Sequence, residues 1–191
     1  MTKEENKIQS SVLGTSGEYL VLSKLLLKGF VAGLAPEFTK DFDIVVVSKD
    51  GKHSAPIQVK TTTSSDMWRM DRKHETEIEN LIYCFVKIDE ETHETEFFII
   101  DSKIVSFALT ISHKIWLKLP SVRKDIKNDS KMRVIKRDYK KLSPIPTIQR
   151  KLRENNKDLS EYLSEGELNF LSNYSEGWME KYKNAWDTIK T

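Results

Sequence analysis

Apolar residues fall along this chain in two rhythms. Over positions 8–28 they recur at helical spacing, and Gly29 stands where such a helix would end. Positions 30–36 read as an edge strand running into a loop. Positions 43–48, with Ile44-Val45-Val46-Val47 at their centre, are nearly continuous in apolar character, the pattern of a strand buried on both faces. Lys49-Asp50-Gly51-Lys52 is a hairpin turn, and positions 55–61 return as the antiparallel partner. Positions 62–73 read as a polar loop. A second hairpin follows, 81–88 against 96–100, and 102–116 is predicted as a helix. The order α-β-β-β-β-β-α predicts an α/β (α+β) fold, a mixed β-sheet flanked by helices.

The remainder is helical in pattern. After Pro144 and Pro146, positions 147–155, 159–163, 165–171 and 177–189 each read as helix, and Trp178, Tyr182 and Trp186 recur at i, i+4 and i+8 as a core stripe. The expected organisation is a main domain over 1–135, with a basic segment and helical C-terminal extension over 136–191 packing on it.

Composition narrows the class. The 191 residues are 38% hydrophobic and 31% charged, which is a globular rather than a disordered balance. The apolar runs are too short to cross a bilayer, and positions 1–11 are polar and mixed in charge, unlike a secretory leader. Cys84 is the single cysteine, so an intrachain disulfide and a cysteine-based zinc site are both excluded. It lies in an apolar run and is expected to be a buried structural thiol. These features point to a cytoplasmic protein with no membrane association.

The net charge of +2 hides an uneven distribution. Between positions 121 and 153 twelve basic residues face only three aspartates, whereas from 154 to 191 eight acids face four lysines. A basic run of that density, with Arg133, Lys136 and Arg137 at its centre, is a candidate grip on a phosphate backbone or a solvated surface. Trp68, Arg69 and Arg72 are further candidates for stacking on or binding DNA.

One residue of the first helix is out of place. At 100° per residue Glu18 shares a face with Val21, Leu22 and Leu25, and a carboxylate there needs a partner, a solvated cleft or a cation. Gly14 and Gly17 beside it would admit a close approach to the sheet. Leu13, Leu20 and Leu27 form a second stripe on roughly the opposite face. The C-terminal helices or a partner subunit, as in a homodimer, are the candidates to cover it.

The chemistry suggested by this stretch is phosphodiester hydrolysis. Such a reaction uses a divalent cation to polarise the phosphoryl oxygen and activate water, and Mg²⁺ takes oxygen ligands while keeping several waters. Asp43, at the head of its strand, is the natural first ligand. Gln58 and Lys60 are two apart on the next strand and point the same way, with the Val59 carbonyl between them. Gln58 and Val59 then offer oxygens, and Lys60 orients or deprotonates water and offsets developing charge. Glu18 would reach the same spot as a ligand or as support for one.

Gly17-Glu18, Asp43 before Ile44-Val45-Val46-Val47, and Gln58-Val59-Lys60-Thr61-Thr62 resemble the PD-(D/E)XK nuclease superfamily, in its Holliday-junction-resolvase-like and restriction-endonuclease-like branch. The likeness covers roughly positions 11–133 and the last helix. It implies a restriction-endonuclease-like sheet and a Mg²⁺- or Mn²⁺-dependent endodeoxyribonuclease. In that scheme Glu18 is the helix carboxylate, Asp43 the metal-binding aspartate, Gln58 the third ligand and Lys60 the catalytic lysine. Asp41 competes for the ligand role, but Asp43 abuts the apolar strand directly. The rival expectation is a catalytically silent nuclease-fold module that binds DNA or a protein partner through its basic segment.

Overall fold

The computed structural model describes residues 9–37, 39, 41–63, 66–120 and 131–190. The chain forms two compact units that share its length in alternation. One comprises residues up to 65, 78–102 and 182–191; the other comprises 66–77 and 103–181. This division differs from the boundary expected at 135/136, because the chain leaves the main sheet twice and returns to it twice.

The first unit is built on a mixed five-stranded sheet, in keeping with the α/β expectation. Helix α1 (Ser10–Leu27) precedes strands β1 (Val31–Leu34), β2 (Ile44–Val47) and β3 (Ser54–Thr62). Gly29, at φ +84°, turns the chain out of α1 in a backbone conformation that other residues enter at a cost. β1, β2 and β3 pair antiparallel in sequence, and Gly51 at φ +73° makes the β2–β3 turn.

The chain then forms β4 (Met67–Asp71) in the second unit before it returns as β5 (Ile82–Ile88), parallel to β3. β6 (Thr95–Asp101) closes the order β1-β2-β3-β5-β6. Parallel neighbours need a crossover rather than a hairpin, and the excursion through residues 66–77 supplies it.

The core of this unit joins α1 to one face of the sheet. Val21 and Leu25 meet Ile44, Val46, Ile57 and Val59, with Cys84, Phe97 and Ile99 beyond them. Trp186 and Ile189, from late in the chain, complete the cluster, and the Trp186 and Phe97 rings lie 5.5 Å apart. Burial drives the Cys84 thiol pKa well up, which fits the structural role expected for it. Leu13 and Leu20 pack partly against the core, whereas Leu27, Tyr19, Val12 and Leu26 remain largely exposed.

In the second unit β4 pairs antiparallel with β7 (Met132–Lys136), a two-stranded ribbon in place of the polar loop expected over 62–73. Helices α2 (Ser102–Lys118), α3 (Ile145–Arg153) and α4 (Glu165–Asn173) belong to the same unit. Ser164 and Glu167 cap α4 reciprocally, and Lys118 pairs with Glu167 at 2.7 Å. An aromatic chain fills the interior: Tyr139 to Phe170 at 5.2 Å, Phe170 to Tyr174 at 4.5 Å, and Tyr174 to Trp178 at 4.7 Å.

The helix expected over 177–189 is absent. Gly177 at φ +88° and Asn184 at φ +55° break it into short 3-10 turns. Trp178 and Trp186 consequently fall in different units and do not form one stripe.

Candidate active site

The site forms where β2 begins and β3 passes its middle. Asp43 immediately precedes β2, and two backbone bonds fix it: its N–H donates to the Ile57 carbonyl at 2.8 Å, and its carbonyl accepts from Ala35 at 2.8 Å. Its side chain turns onto β3. Asp43 Oδ2 accepts the Val59 N–H at 2.7 Å and also accepts from Gln58 Nε2. Gln58 Nε2 lies 3.4 Å from the Val59 carbonyl oxygen as well. Gln58 and Val59 are 7% and 6% exposed, so these polar groups converge in a largely dry spot.

Lys60 follows two residues on, half-buried, on the same side of the strand as Gln58. Glu18 approaches from α1. Burial is the largest influence on its carboxyl and raises its pKa above the ordinary range; the charge of Asp43 adds to the rise, and that of Lys60 opposes it. Two carboxylates and one ammonium therefore lie within electrostatic range of each other. Asp41 is placed differently: its backbone is left-handed at φ +77°, and its charge acts on the Tyr83 hydroxyl of β5, two strands over from β2.

Gly17 is what lets α1 come so close. A Cβ at that position would meet Thr61 Cβ at 3.0 Å and Cγ2 at 3.1 Å, with Oγ1 closer still. Gly14 has no neighbour within 4 Å of the corresponding point, so the close approach expected of both glycines belongs to Gly17 alone.

The raised Glu18 pKa has a consequence for stability. A carboxyl whose folded-state pKa exceeds its unfolded value lowers stability once ionised, and that penalty disappears below the unfolded pKa. Glu18→Gln should therefore raise the Tm of the metal-free protein at neutral pH and leave it unchanged below the ordinary glutamate range. An unchanged Tm at neutral pH would show that the carboxylate carries no burial penalty.

The donor set suits a hard cation. The Asp43 carboxylate, Gln58 amide, Val59 carbonyl and Glu18 carboxylate are all oxygen-bearing, as Mg²⁺ or Mn²⁺ requires. Only two acids take part; among the described residues no three His, Cys, Asp or Glu side chains gather as a metal cluster. The Gln58 amide presents nitrogen to Asp43, and rotating its terminal bond by half a turn would present oxygen instead.

The residues expected to bind DNA all lie in the second unit. Trp68 is 1% exposed, so its ring is part of the interior and cannot stack on nucleic acid. Arg69 and Arg72 are exposed, with Arg72 3.9 Å from Glu75. Arg133 is buried against Glu75, its Nε 2.5 Å from Oε1. Lys136 Nζ donates to the Lys141 carbonyl at 2.6 Å, and Arg137 lies between Asp66 at 3.6 Å and Glu180 at 2.7 Å. Arg123, Lys124 and Lys127 of the basic run lie outside the described residues.

A pair outside the sequence-derived candidates is His113 and Trp116 of α2. Their i, i+3 spacing on α2 was the available signal. The two rings stack 5.5 Å apart at 22°.

No family model matches the chain, and no curated protein matches it. Among solved structures it is similar to a bacterial homing endonuclease, I-Ssp6803I, at 14% identity with a TM-score of 0.37. The overlap takes in 52% of this chain and 70% of that one. No helix among the described residues is long and apolar enough to cross a membrane.

Proposed function

We propose that the chain is a DNA endonuclease dependent on Mg²⁺ or Mn²⁺. The observation that carries this reading is the convergence of Asp43, Gln58, Val59 and Lys60 at one place on β2 and β3, with the Glu18 carboxylate in electrostatic range. The cation, when bound, would polarise the scissile phosphoryl group and make a nucleophile of water. Asp43, Gln58, the Val59 carbonyl and Glu18 would hold it. Lys60 would orient the attacking water and offset charge building on the phosphoryl oxygens. The same residues carry the resemblance to PD-(D/E)XK nucleases, and the mixed sheet is the scaffold which that resemblance implies.

A silent module gripping DNA or a partner through Arg133, Lys136 and Arg137 has less support. Two of those three cations are already engaged by carboxylates, Arg133 by Glu75 and Arg137 by Asp66 and Glu180, which leaves little charge for a grip of that kind.

The deciding experiment incubates the purified chain with supercoiled, linear and branched DNA in Mg²⁺ or Mn²⁺, with and without a chelator. Cleavage that the chelator abolishes is expected on at least one substrate. Intact DNA on all of them, with either metal, overturns the reading.

A further inference from the structure

The second unit holds a cavity of about 360 Å³ that the proposed chemistry does not use. His113 and Trp116 of α2 form part of its wall, with Met67 of β4 and Met132 of β7 among the apolar residues beside them. The charged groups in its lining are Arg133 and Lys136, and no aspartate or glutamate lines it. From this geometry we infer that the cavity takes a single unpaired DNA base, laid against the His113–Trp116 stack, with its strand's phosphates toward the cationic side. The inference rests on DNA being the substrate and adds a place where the strand is held.

Three observations favour that occupant. The first is shape. Trp116 and His113 are half-buried, so their rings wall an open cavity and are not sealed inside the core. A stacked pair offers a planar partner the same kind of face.

The second is charge. Burial, and then the Arg133 guanidinium, hold the His113 pKa below its ordinary value; Arg72 adds to this and Glu75 opposes it. Near neutral pH the imidazole is therefore an uncharged stacking surface. Lys136 uses one N–H on the Lys141 carbonyl, and an ammonium has three. Glu75 lies against Arg133 and partly neutralises it. Lys136, its pKa lowered by burial, has Asp138 and Asp66 in electrostatic range but no carboxylate within ion-pair distance among the described residues, and is the cation offered to a phosphate.

The third is size. The volume sits at the small end of ligand cavities, enough for one flat ring system and too little for the apolar face of a partner helix.

The test measures binding of the full chain to a short labelled single strand by fluorescence anisotropy, without divalent metal. A matched strand with abasic central positions serves as the comparison. In the wild type, loss of the bases should weaken binding by about tenfold, the scale of one base–aromatic stack. Trp116→Leu should bind both strands equally, whereas Trp116→Phe should keep much of the difference. Met132→Glu puts a carboxylate at a position that is 57% exposed, where folding is not at stake, and should weaken binding of the base-bearing strand.

Equal wild-type affinity for the two strands overturns the proposal, as does the same base dependence in Trp116→Leu. Absence of any DNA binding overturns it as well. Metal-dependent cleavage without base discrimination removes this site and leaves the nuclease reading intact. Base-dependent binding without cleavage does the reverse.

Discussion

Lys60→Ala should lower DNA cleavage by about a thousandfold while leaving the protein folded, the scale seen when one charge-stabilising group is taken from a transition state. Lys60 is only half-buried and follows the buried pair Gln58 and Val59, so the strand keeps its core contacts when the ammonium is removed. Lys60 also lowers the Glu18 pKa against the combined effect of burial and Asp43. Removing it should therefore drive the Glu18 carboxyl further up, and a side-chain NMR titration would follow that change without reference to catalysis. A variant that cleaves normally would remove Lys60 from the mechanism. A variant with an unmoved Glu18 titration would show that the two groups do not sense each other.

Gly17→Ala should destabilise the protein, although the same change in an exposed helix would gain about 1 kcal/mol. The new methyl would run into the whole Thr61 side chain, and a β-branched residue has little freedom to swing away. Overpacking of this kind costs about 1–3 kcal/mol, and each kcal/mol lowers Tm by about 2–4 °C at this chain length. Helix α1 can relieve the clash only by lifting off β3, which carries Glu18 away from Asp43 and Lys60, so activity should fall too.

Thr61→Ala should be nearly neutral by itself. Among the described residues Thr61 Oγ1 is buried with no hydrogen-bond partner, so losing it forfeits no bond. Combined with Gly17→Ala it should restore much of the lost stability, and thermal unfolding of the four proteins completes the cycle. Additive effects would mean that the helix does not rest on Thr61.

The part of the site carried by β2 and β3 was legible because strand geometry is local. The apolar run 44–47, the Asp50-Gly51 turn and the two-residue spacing of Gln58 and Lys60 each predict their own placement. Glu18 was legible for a different reason: a carboxylate amid Val21, Leu22 and Leu25 on a helix face calls for an explanation.

What escaped depended on partners far away in the chain. Strand β4 alternates Trp68 and Met70 inward with Arg69 and Asp71 outward, but its neighbour is Met132–Lys136 and no turn links them. That distant pairing is why Trp68 reads as an exposed stacking residue in the sequence and is a core residue in the fold. The stripe of Trp178, Tyr182 and Trp186 has perfect helical spacing, yet left-handed backbone at Gly177 and Asn184 prevents one helix from presenting it. The charges of Arg133 and Arg137 count as basic in sequence, whereas in the fold Glu75, Asp66 and Glu180 offset them.

Trp186 and Ile189 also set a schedule. They belong to the same apolar cluster as Ile57, Val59 and Val21, but a ribosome makes them long after β3. The nascent chain must carry an open-sided sheet while all of residues 103–181 are translated, and it can cover Phe97 of β6 only when the late tryptophan emerges. A product cut off before Trp186 would contain every group of the proposed site on an unfinished core. Completion of the core beside the site thus waits on residues made long after the site's own.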